Sequence, residues 1–290
     1  MSLTIFSIPK AFAGHSAVIQ LNAIDSWTRQ LDATVALFGD DEGVASVAQE
    51  IGAAHVPDIR RTSHGTPRLD DVFSSARQTF QTDLLCYVNA DILLPDHFAE
   101  SLLRIPFPSF VAVGRRWNID LRERIDLTID SVRERVATEA EGPGPPFAID
   151  FFVFPRSVDW QMPAFAIGRT VWDNWLIFRA RQLRLPVVDM TPVVKVVHQA
   201  HDYSHIGATK AEVWKGEEAA SNKSLARLAR LFTIEDATHV LTPTGVRPAR
   251  SFPYLRQRSL NRPLLSPTLR PLYGRVLAVT RKLRGLDPVN

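Results

Sequence analysis

The sequence is poor in cysteine, in long apolar runs and in basic stripes, and each shortage removes a class of protein. Its 290 residues include one cysteine, Cys86, so no intrachain disulfide can form and a disulfide-stapled secreted scaffold is excluded. No stretch reaches the ~20 consecutive apolar residues that a membrane-spanning helix needs. The apolar start at residues 3–8 is too short for a secretory signal and runs into Pro9 and Lys10. A cytoplasmic setting is therefore expected. Internal repeats and low-complexity tracts are absent, which sets aside solenoids and biased disordered chains. The body also lacks the basic stripe with interleaved aromatics of a nucleic-acid binder, so no nucleic-acid partner is expected.

What is present is ordinary globular composition, with 45% hydrophobic and 22% charged residues. That suffices for one large domain or a domain with an appendage. The net charge is +3, and the surplus is uneven. Beyond residue 247 the cations Arg250, Arg256, Arg258, Arg262, Arg270, Arg275, Arg281, Lys282 and Arg284 face a single acid, Asp287. The body before them is near neutral or slightly acidic, so this is a basic tail on a globular domain.

The apolar pattern predicts strands at 3–8, 34–39 and 54–57, with helices at 15–31 and 44–51 between them. A helix at 69–80 leads to the most apolar stretch, 84–94, and a helix at 95–103 to a strand at 110–114. This rhythm predicts an α/β fold with a doubly wound, mostly parallel sheet flanked by helices. Alternating charges at 119–140 predict a solvated helix. Residues 141–146, with glycines and prolines, break the chain. Beyond them we expect a strand at 148–154, a Trp-rich helix at 167–183, a strand at 187–197 and a long helix at 211–231. The expected organisation is a catalytic domain over 1–235, with a nucleotide-binding half (1–118) and an acceptor half (147–235). A basic extension follows over 236–290.

Stretch 84–94 is apolar except for Asn89 and Asp91. A strand buried on both faces leaves no room for an unpaired carboxylate, so Asp91 should face a cleft, a partner or a metal at the strand's carboxyl end. The plainer alternative is an Asp that caps the following turn. Asp173 falls near the start of a predicted helix, between Trp172 and Trp175, and Asp150 heads an apolar strand. Either acid could serve as a general base. Trp160, Trp172 and Trp175 offer faces for sugar stacking, although Trp at such spacing also builds cores. His198, His201 and His205 lie three and four residues apart; they could form a zinc site of their own or a polar loop that caps helix ends.

Asn89-Ala90-Asp91 after a hydrophobic strand resembles the Asp-x-Asp motif of GT-A fold glycosyltransferases, the nucleotide-diphospho-sugar transferases of the family 2 kind. The resemblance implies a GT-A-like fold with a C-terminal basic extension. It further implies a divalent cation, Mn²⁺ or Mg²⁺, bridging the phosphates of a nucleotide diphosphate sugar donor. Asp91 matches the direct ligand. Asn89 replaces the first acid and would make a ribose or water-mediated contact. Phe6, Ser7, Pro9 and Lys10 fall where such enzymes hold the base, and Asp40 and Asp41 where an acid binds uracil or ribose. Arg61 and Gly65 lie in the loop that flanks the nucleotide. A late histidine completes the metal shell in many members, which favours His201, with His198 second. Asp173 matches the acid that supplies the base in inverting members, with Asp150 as its rival.

The implied acceptor is a glycan or a lipid-linked hydroxyl, reached at the inner face of a membrane through the basic tail; an oligomer is compatible with all of this. Three other readings stay open. A nucleotidyltransferase of similar topology would want a Gly-rich loop after the first strand, which Ser7 to Lys10 does not supply. A non-catalytic sugar-nucleotide-binding protein with a degraded metal site would explain Asn89. A zinc hydrolase would use the histidine run.

Overall fold

The computed structural model describes residues 1–29, 31–200 and 214–283, with side chains through 276. Its centre is a nine-stranded sheet. In chain order the strands are β1 (Leu3–Ser7), β2 (Thr34–Phe38), β3 (Ala54–Val56), β4 (Leu84–Val88), β6 (Val111–Val113), β8 (Phe151–Pro155), β9 (Val187–Asp189), β11 (His239–Thr242) and β12 (Gly245–Pro248). In space they run β12-β11-β9-β6-β8-β4-β1-β2-β3. Five of the pairings are parallel, and β8 is inserted antiparallel between β4 and β6. A second, three-stranded sheet joins β5 (Ile92–Leu93), β10 (Val196–Gln199) and β7 (Arg116–Ile119), with β10 in the middle.

Both faces of the large sheet are covered. Alternate residues of β4 serve opposite cores: Leu84, Cys86 and Val88 pack on one side, Leu85 and Tyr87 on the other. The same division holds in β1 between Ile5 and Phe6 and in β2 between Leu37 and Phe38. This two-sided burial is why these segments read as continuous apolar runs rather than alternating ones. Helices α1 (Gly14–Thr28) and α2 (Val44–Ile51) lie with the first core. Helices α3 (Leu69–Thr79) and α6 (Trp172–Gln182) lie with the second. Gly43, at φ +85°, starts α2; a Cβ there would meet the Phe12 Cβ at 2.9 Å, so the turn needs glycine. The remaining helices are α4 (Phe98–Leu103), α5 (Asp130–Glu139), α7 (Glu217–Ala226), α8 (Phe252–Leu265) and α9 (Leu269–Leu283).

Several boundaries differ from the sequence expectation. The run 84–94 is not one strand: it breaks at Asn89, and β5 leaves the main sheet to pair with β10. The expected strand 187–197 divides in the same way, into β9 in the large sheet and β10 in the small one. The expected helix 119–140 holds only over α5, and its first residue belongs to β7. The boundary at 235 is also no edge of the sheet, because β11 pairs with β9 and β12 with β11. Helix α8 is fastened to the same body: the Tyr254 hydroxyl donates to Asp189 Oδ2 (2.6 Å) and Asn261 Nδ2 to Asp236 Oδ2 (3.0 Å). The part of the chain that extends beyond the domain is therefore shorter than 236–290.

Candidate active site

At the carboxyl ends of β1, β2 and β4 the chain leaves the sheet, and a cleft of about 780 Å³ opens there. Its walls come from both halves. The first contributes Pro9, Lys10, Asp41, Arg61, Gly65, Asn89, Asp91 and Arg116, the second Asp150, Arg169, Asp173 and His198.

The break between β4 and β5 places Asp91 on the cleft wall. Its backbone is held in two ways by Gln199 on β10: the Gln199 amide donates to the Asp91 carbonyl (3.1 Å), and Gln199 Nε2 does so at 3.3 Å. Gln199 is itself tied to α1, donating to the Ile19 carbonyl at 2.8 Å. Register then fixes the neighbour: His198 pairs with Ile92, and its Nε2 stands 3.4 Å from Asp91 Oδ2. A carboxylate and an imidazole from positions 107 residues apart thus share one corner. Sequence favoured His201 over His198; the structure brings His198 to Asp91, while His201 and His205 lie outside the described residues. One oxygen and one nitrogen donor suit a divalent cation that takes its remaining ligands from phosphate oxygens and water. Among the described residues no group of three or more His, Cys, Asp or Glu side chains gathers to hold a metal by itself.

Asn89 does not face that corner. Its Nδ2 donates to Asp150 Oδ1 (2.8 Å), and its Oδ1 accepts from the Tyr87 hydroxyl (3.0 Å). Asp150 is buried, 6% exposed, and Arg116 Nη1 donates to both of its oxygens (3.0 and 2.9 Å). Burial, then the Asp91 and Asp150 charges, raise the Tyr87 phenol well above its usual range, so it stays a donor. Asp150 is thus the centre of a buried network with its oxygens engaged.

Asp173 is placed differently. It sits in the first turn of α6, on the cleft wall. Burial pushes its carboxyl up to about 7; the Asn174 amide opposes the rise and the Asp150 charge adds to it. The residue that opens this helix, Val171, has φ +75°, a left-handed conformation that β-branched residues seldom adopt. Local strain therefore lies two residues from a carboxyl that titrates near neutrality.

The nucleotide-side loop is closed by its own bonds. Arg61 pairs with Asp40, lies 3.6 Å from Asp41 Oδ2, and donates from Nη1 to the Gly65 carbonyl (2.8 Å). That pairing holds the exposed Asp40 carboxyl below its usual range. Lys10 reaches the cleft from the end of β1, where buried Gln20 accepts from its amide (2.7 Å) and donates to its carbonyl (3.0 Å). Desolvation in the cleft lowers the Lys10 ammonium; Asp91 works against that shift and Arg169 with it.

Two expected contacts are corrected. Phe6 is fully buried, edge-to-face with Phe38, Phe73 and Tyr87. Ser7 is equally buried, donating to the Val88 carbonyl at 2.6 Å. Both face the core because β1 is covered on both sides, and of the four residues expected at the nucleotide Pro9 and Lys10 line the cleft. Trp160, Trp172 and Trp175, offered for sugar stacking, are at most 7% exposed and belong to the second core.

Sequence reasoning missed Glu218. Its carboxylate gathers Thr62 Oγ1 (2.5 Å), Thr66 Oγ1 (2.8 Å) and Arg169 Nη2 (2.7 Å), joining the nucleotide-side loop to the loop before α6. Burial raises this carboxyl, but the two threonines and Arg169 outweigh it, and the net shift is downward. Nothing in the sequence near 218 signals this role, because all three partners are distant in the chain. Arg116 was more accessible to sequence: it falls two residues past the predicted strand 110–114, where a charged side chain beside a buried strand needs a ligand or a carboxylate.

No protein-family model matches the chain, and no curated protein sequence matches it. Solved structures do match its fold. The S. aureus TarS fragment 1–349 in complex with UDP-GlcNAc superposes with a TM-score of 0.51 at 10% identity, over 80% of this chain and 66% of that one. M. tuberculosis glucosyl-3-phosphoglycerate synthase gives 0.47 at 14% identity, over 79% of this chain and 80% of that one. At such identity the likeness establishes the architecture: a GT-A fold, with a mostly parallel central sheet flanked by helices.

Proposed function

We propose that this chain is a glycosyltransferase that moves a sugar from a nucleotide diphosphate sugar to an acceptor hydroxyl. One observation carries the reading: Asp91 and His198 meet at 3.4 Å, in a cleft that also holds a carboxyl poised near 7. S. aureus TarS, whose fold this chain shares, was solved with UDP-GlcNAc, which makes a nucleotide sugar the natural donor to test.

In this reading Asp41, Arg61 and Gly65 border the nucleoside, and Lys10 and Arg169 face the diphosphate. Asp91 and His198 hold a divalent cation, which supplies positive charge against the leaving diphosphate. The acceptor oxygen forms the new bond to the anomeric carbon as the bond to the diphosphate oxygen breaks. Asp173 takes the acceptor proton. Asp150, held by Arg116 and Asn89, positions the wall beside it rather than competing as base.

The test is a thermal-shift panel of UDP, GDP, CDP and ADP with and without Mn²⁺. A ligand bound only by the folded state raises apparent stability with occupancy. One nucleotide should stabilise the protein, more so with Mn²⁺, and Asp91→Ala should abolish the metal's increment. No stabilisation by any nucleotide, or an increment unchanged in that variant, would overturn the assignment.

We further propose peripheral contact with an anionic membrane through α8 and α9. Phe252, Leu255, Leu269, Leu272 and Val276 are exposed beside exposed Arg256, Arg262 and Arg275. Among the described residues no helix is long and apolar enough to cross a membrane. Co-sedimentation with phosphatidylglycerol vesicles but not phosphatidylcholine vesicles is expected, and it should be lost in Leu272→Glu. Equal binding to both vesicles, or to neither, would end the proposal.

A further inference from the structure

The corner where Asp91 meets His198 is set from beneath, by a side chain that belongs to neither. Gln199 follows His198 on β10 and is fully buried. It stands one peptide bond from one donor of that corner and two hydrogen bonds from the other. Pairing of β5 with β10 registers His198 against Ile92, which puts Asp91 one residue beyond that pair. There the Asp91 carbonyl accepts from both the Gln199 amide (3.1 Å) and Gln199 Nε2 (3.3 Å). Successive side chains of a strand leave opposite faces. His198 therefore lines the cleft, while the Gln199 side chain turns under it toward α1.

Helix α1 receives that side chain at two points. Gln199 Nε2 donates to the Ile19 carbonyl (2.8 Å), and its Oε1 accepts from Asn22 Nδ2 (3.0 Å). Asn22 is buried as well, and every hydrogen-bonding position of its amide is used. Its Nδ2 also donates to the Glu123 carbonyl (3.0 Å), and its Oδ1 accepts from Arg124 Nη1 (2.8 Å) and the Ile125 amide (3.0 Å). Two buried amides with complete partners form a rigid support. An ordinary core would accept apolar side chains of similar volume in their place. What singles out this pair is where its bonds end, on the backbone of one proposed metal ligand and beside the other.

The same helix grips β5 through other side chains. Trp27 Nε1 donates to the Ile92 carbonyl (2.9 Å), and Ser26 Oγ accepts from the Leu94 amide (3.1 Å). Neither bond involves Asp91. The seating of β5 and the aim of Asp91 thus depend on different residues, and one can be changed without the other.

We infer that Gln199, steadied by Asn22, is a positioning residue that holds the Asp91 carboxylate and the His198 ring at the spacing a divalent cation requires. It acts through those two donors and touches neither metal nor substrate. The inference rests on the transferase reading above and deepens its metal site. Phosphate and water ligands can adapt to a cation, whereas two donors fixed on separate strands cannot, so outer partners that orient such donors change metal affinity about 10–100-fold.

The experiment is a Mn²⁺ titration of the full chain by electron paramagnetic resonance. It is run with and without saturating nucleotide (UDP, GDP, CDP or ADP, whichever stabilises the protein). Metal-free nucleotide affinity and melting temperature are measured beside it. Gln199→Met keeps length and volume but removes the amide, and should weaken Mn²⁺ binding about tenfold or more. Asn22→Asp keeps the bonds from Arg124 and Ile125 but withdraws the donor from Gln199, and should weaken it about threefold. Metal-free nucleotide affinity should stay within about twofold in both. Ser26→Ala, which strips a bond from Leu94 instead, should lower the melting temperature and leave Mn²⁺ affinity unchanged. Wild-type Mn²⁺ affinity in folded Gln199→Met, or an equal loss in Ser26→Ala, overturns the inference and makes Gln199 a core brace. If Gln199→Met does not fold, unchanged affinity in Asn22→Asp overturns it. So does a wild type that binds no Mn²⁺ in either condition. A wild type that binds Mn²⁺ but none of the four nucleotides sinks the transferase reading instead, and the variants compared with Mn²⁺ alone still decide the role of Gln199.

Discussion

At the scale of single residues, the site separates its carboxylates by environment. Burial raises the Asp173 carboxyl to about 7, so it holds its proton below that pH and is a base only above it. The predicted kcat/KM for sugar transfer therefore climbs with unit slope below about pH 7 and levels off above it. Asp173→Asn should flatten that limb and lower the rate by roughly 10²–10⁴-fold, with donor affinity retained. A pH–rate profile with initial rates checks this, and an unchanged limb in the variant would remove Asp173 from the chemistry. A second prediction concerns Asn89, which stands where the family motif has an acid. Restoring it with Asn89→Asp would set a second carboxylate against Asp150 Oδ1, where an amide now donates at 2.8 Å. The variant should lose about 2 kcal/mol of stability at neutral pH and gain no metal affinity. Urea melts and Mn²⁺ titration read both. Asp91 and Asp173 were visible in the sequence because a carboxylate beside an apolar run is conspicuous. The purpose of Asn89 was not, because it depends on Asp150 being brought alongside by antiparallel pairing of β8.

At the scale of elements, one side chain on α7 ties together two loops that border the cleft. Thr62, Thr66 and Arg169 all donate to Glu218, so an acceptor with two full oxygens is required there. Glu218→Gln replaces one oxygen with a donor that faces donors. It should cost about 1–2 kcal/mol and loosen both loops against the nucleotide. The expected kinetic signature is a five- to tenfold rise in donor KM with a smaller change in kcat, as for a residue that acts through others. Glu218→Ala should be worse and Glu218→Asp intermediate. Equal KM in all three would reduce the cluster to a surface brace. The folded pKa of Glu218 is depressed, so its stabilisation is complete above the ordinary glutamate range and is lost as pH falls through the depressed value. Elements of this kind escape sequence analysis. Glu218 bonds to residues 156, 152 and 49 positions away, and no local pattern encodes such a meeting.

At the scale of the whole molecule, the first half was legible and the second less so, for a physical reason. Strands β1, β2 and β4 are five-residue, mostly apolar segments packed on both faces, and they announce themselves. The run 187–197 reads as one strand but divides into β9, of three residues, and β10, of four, and the sheet each one joins is set by partners distant in the chain. Where the domain ends was obscured by charge, because arginines after residue 247 suggest a tail although α8 is built into the body. Leu264 is fully buried, worth about 2 kcal/mol. The Tyr254–Asp189 and Asn261–Asp236 bonds add about 1–2 kcal/mol each, and removing α8 would leave each buried carboxyl at least one donor short. Their sum, about 5 kcal/mol, is comparable to the net stability of an ordinary domain. A chain cut after Arg250 should therefore melt about 10 °C or more below the full chain, or fail to remain soluble. A chain cut after Ser266, which keeps α8 and loses α9, should melt within a few degrees of it and still respond to nucleotide. Differential scanning calorimetry on the pair decides the matter. Equal melting after both cuts would mean that the polar anchors of α8 contribute nothing, and that the domain ends before them.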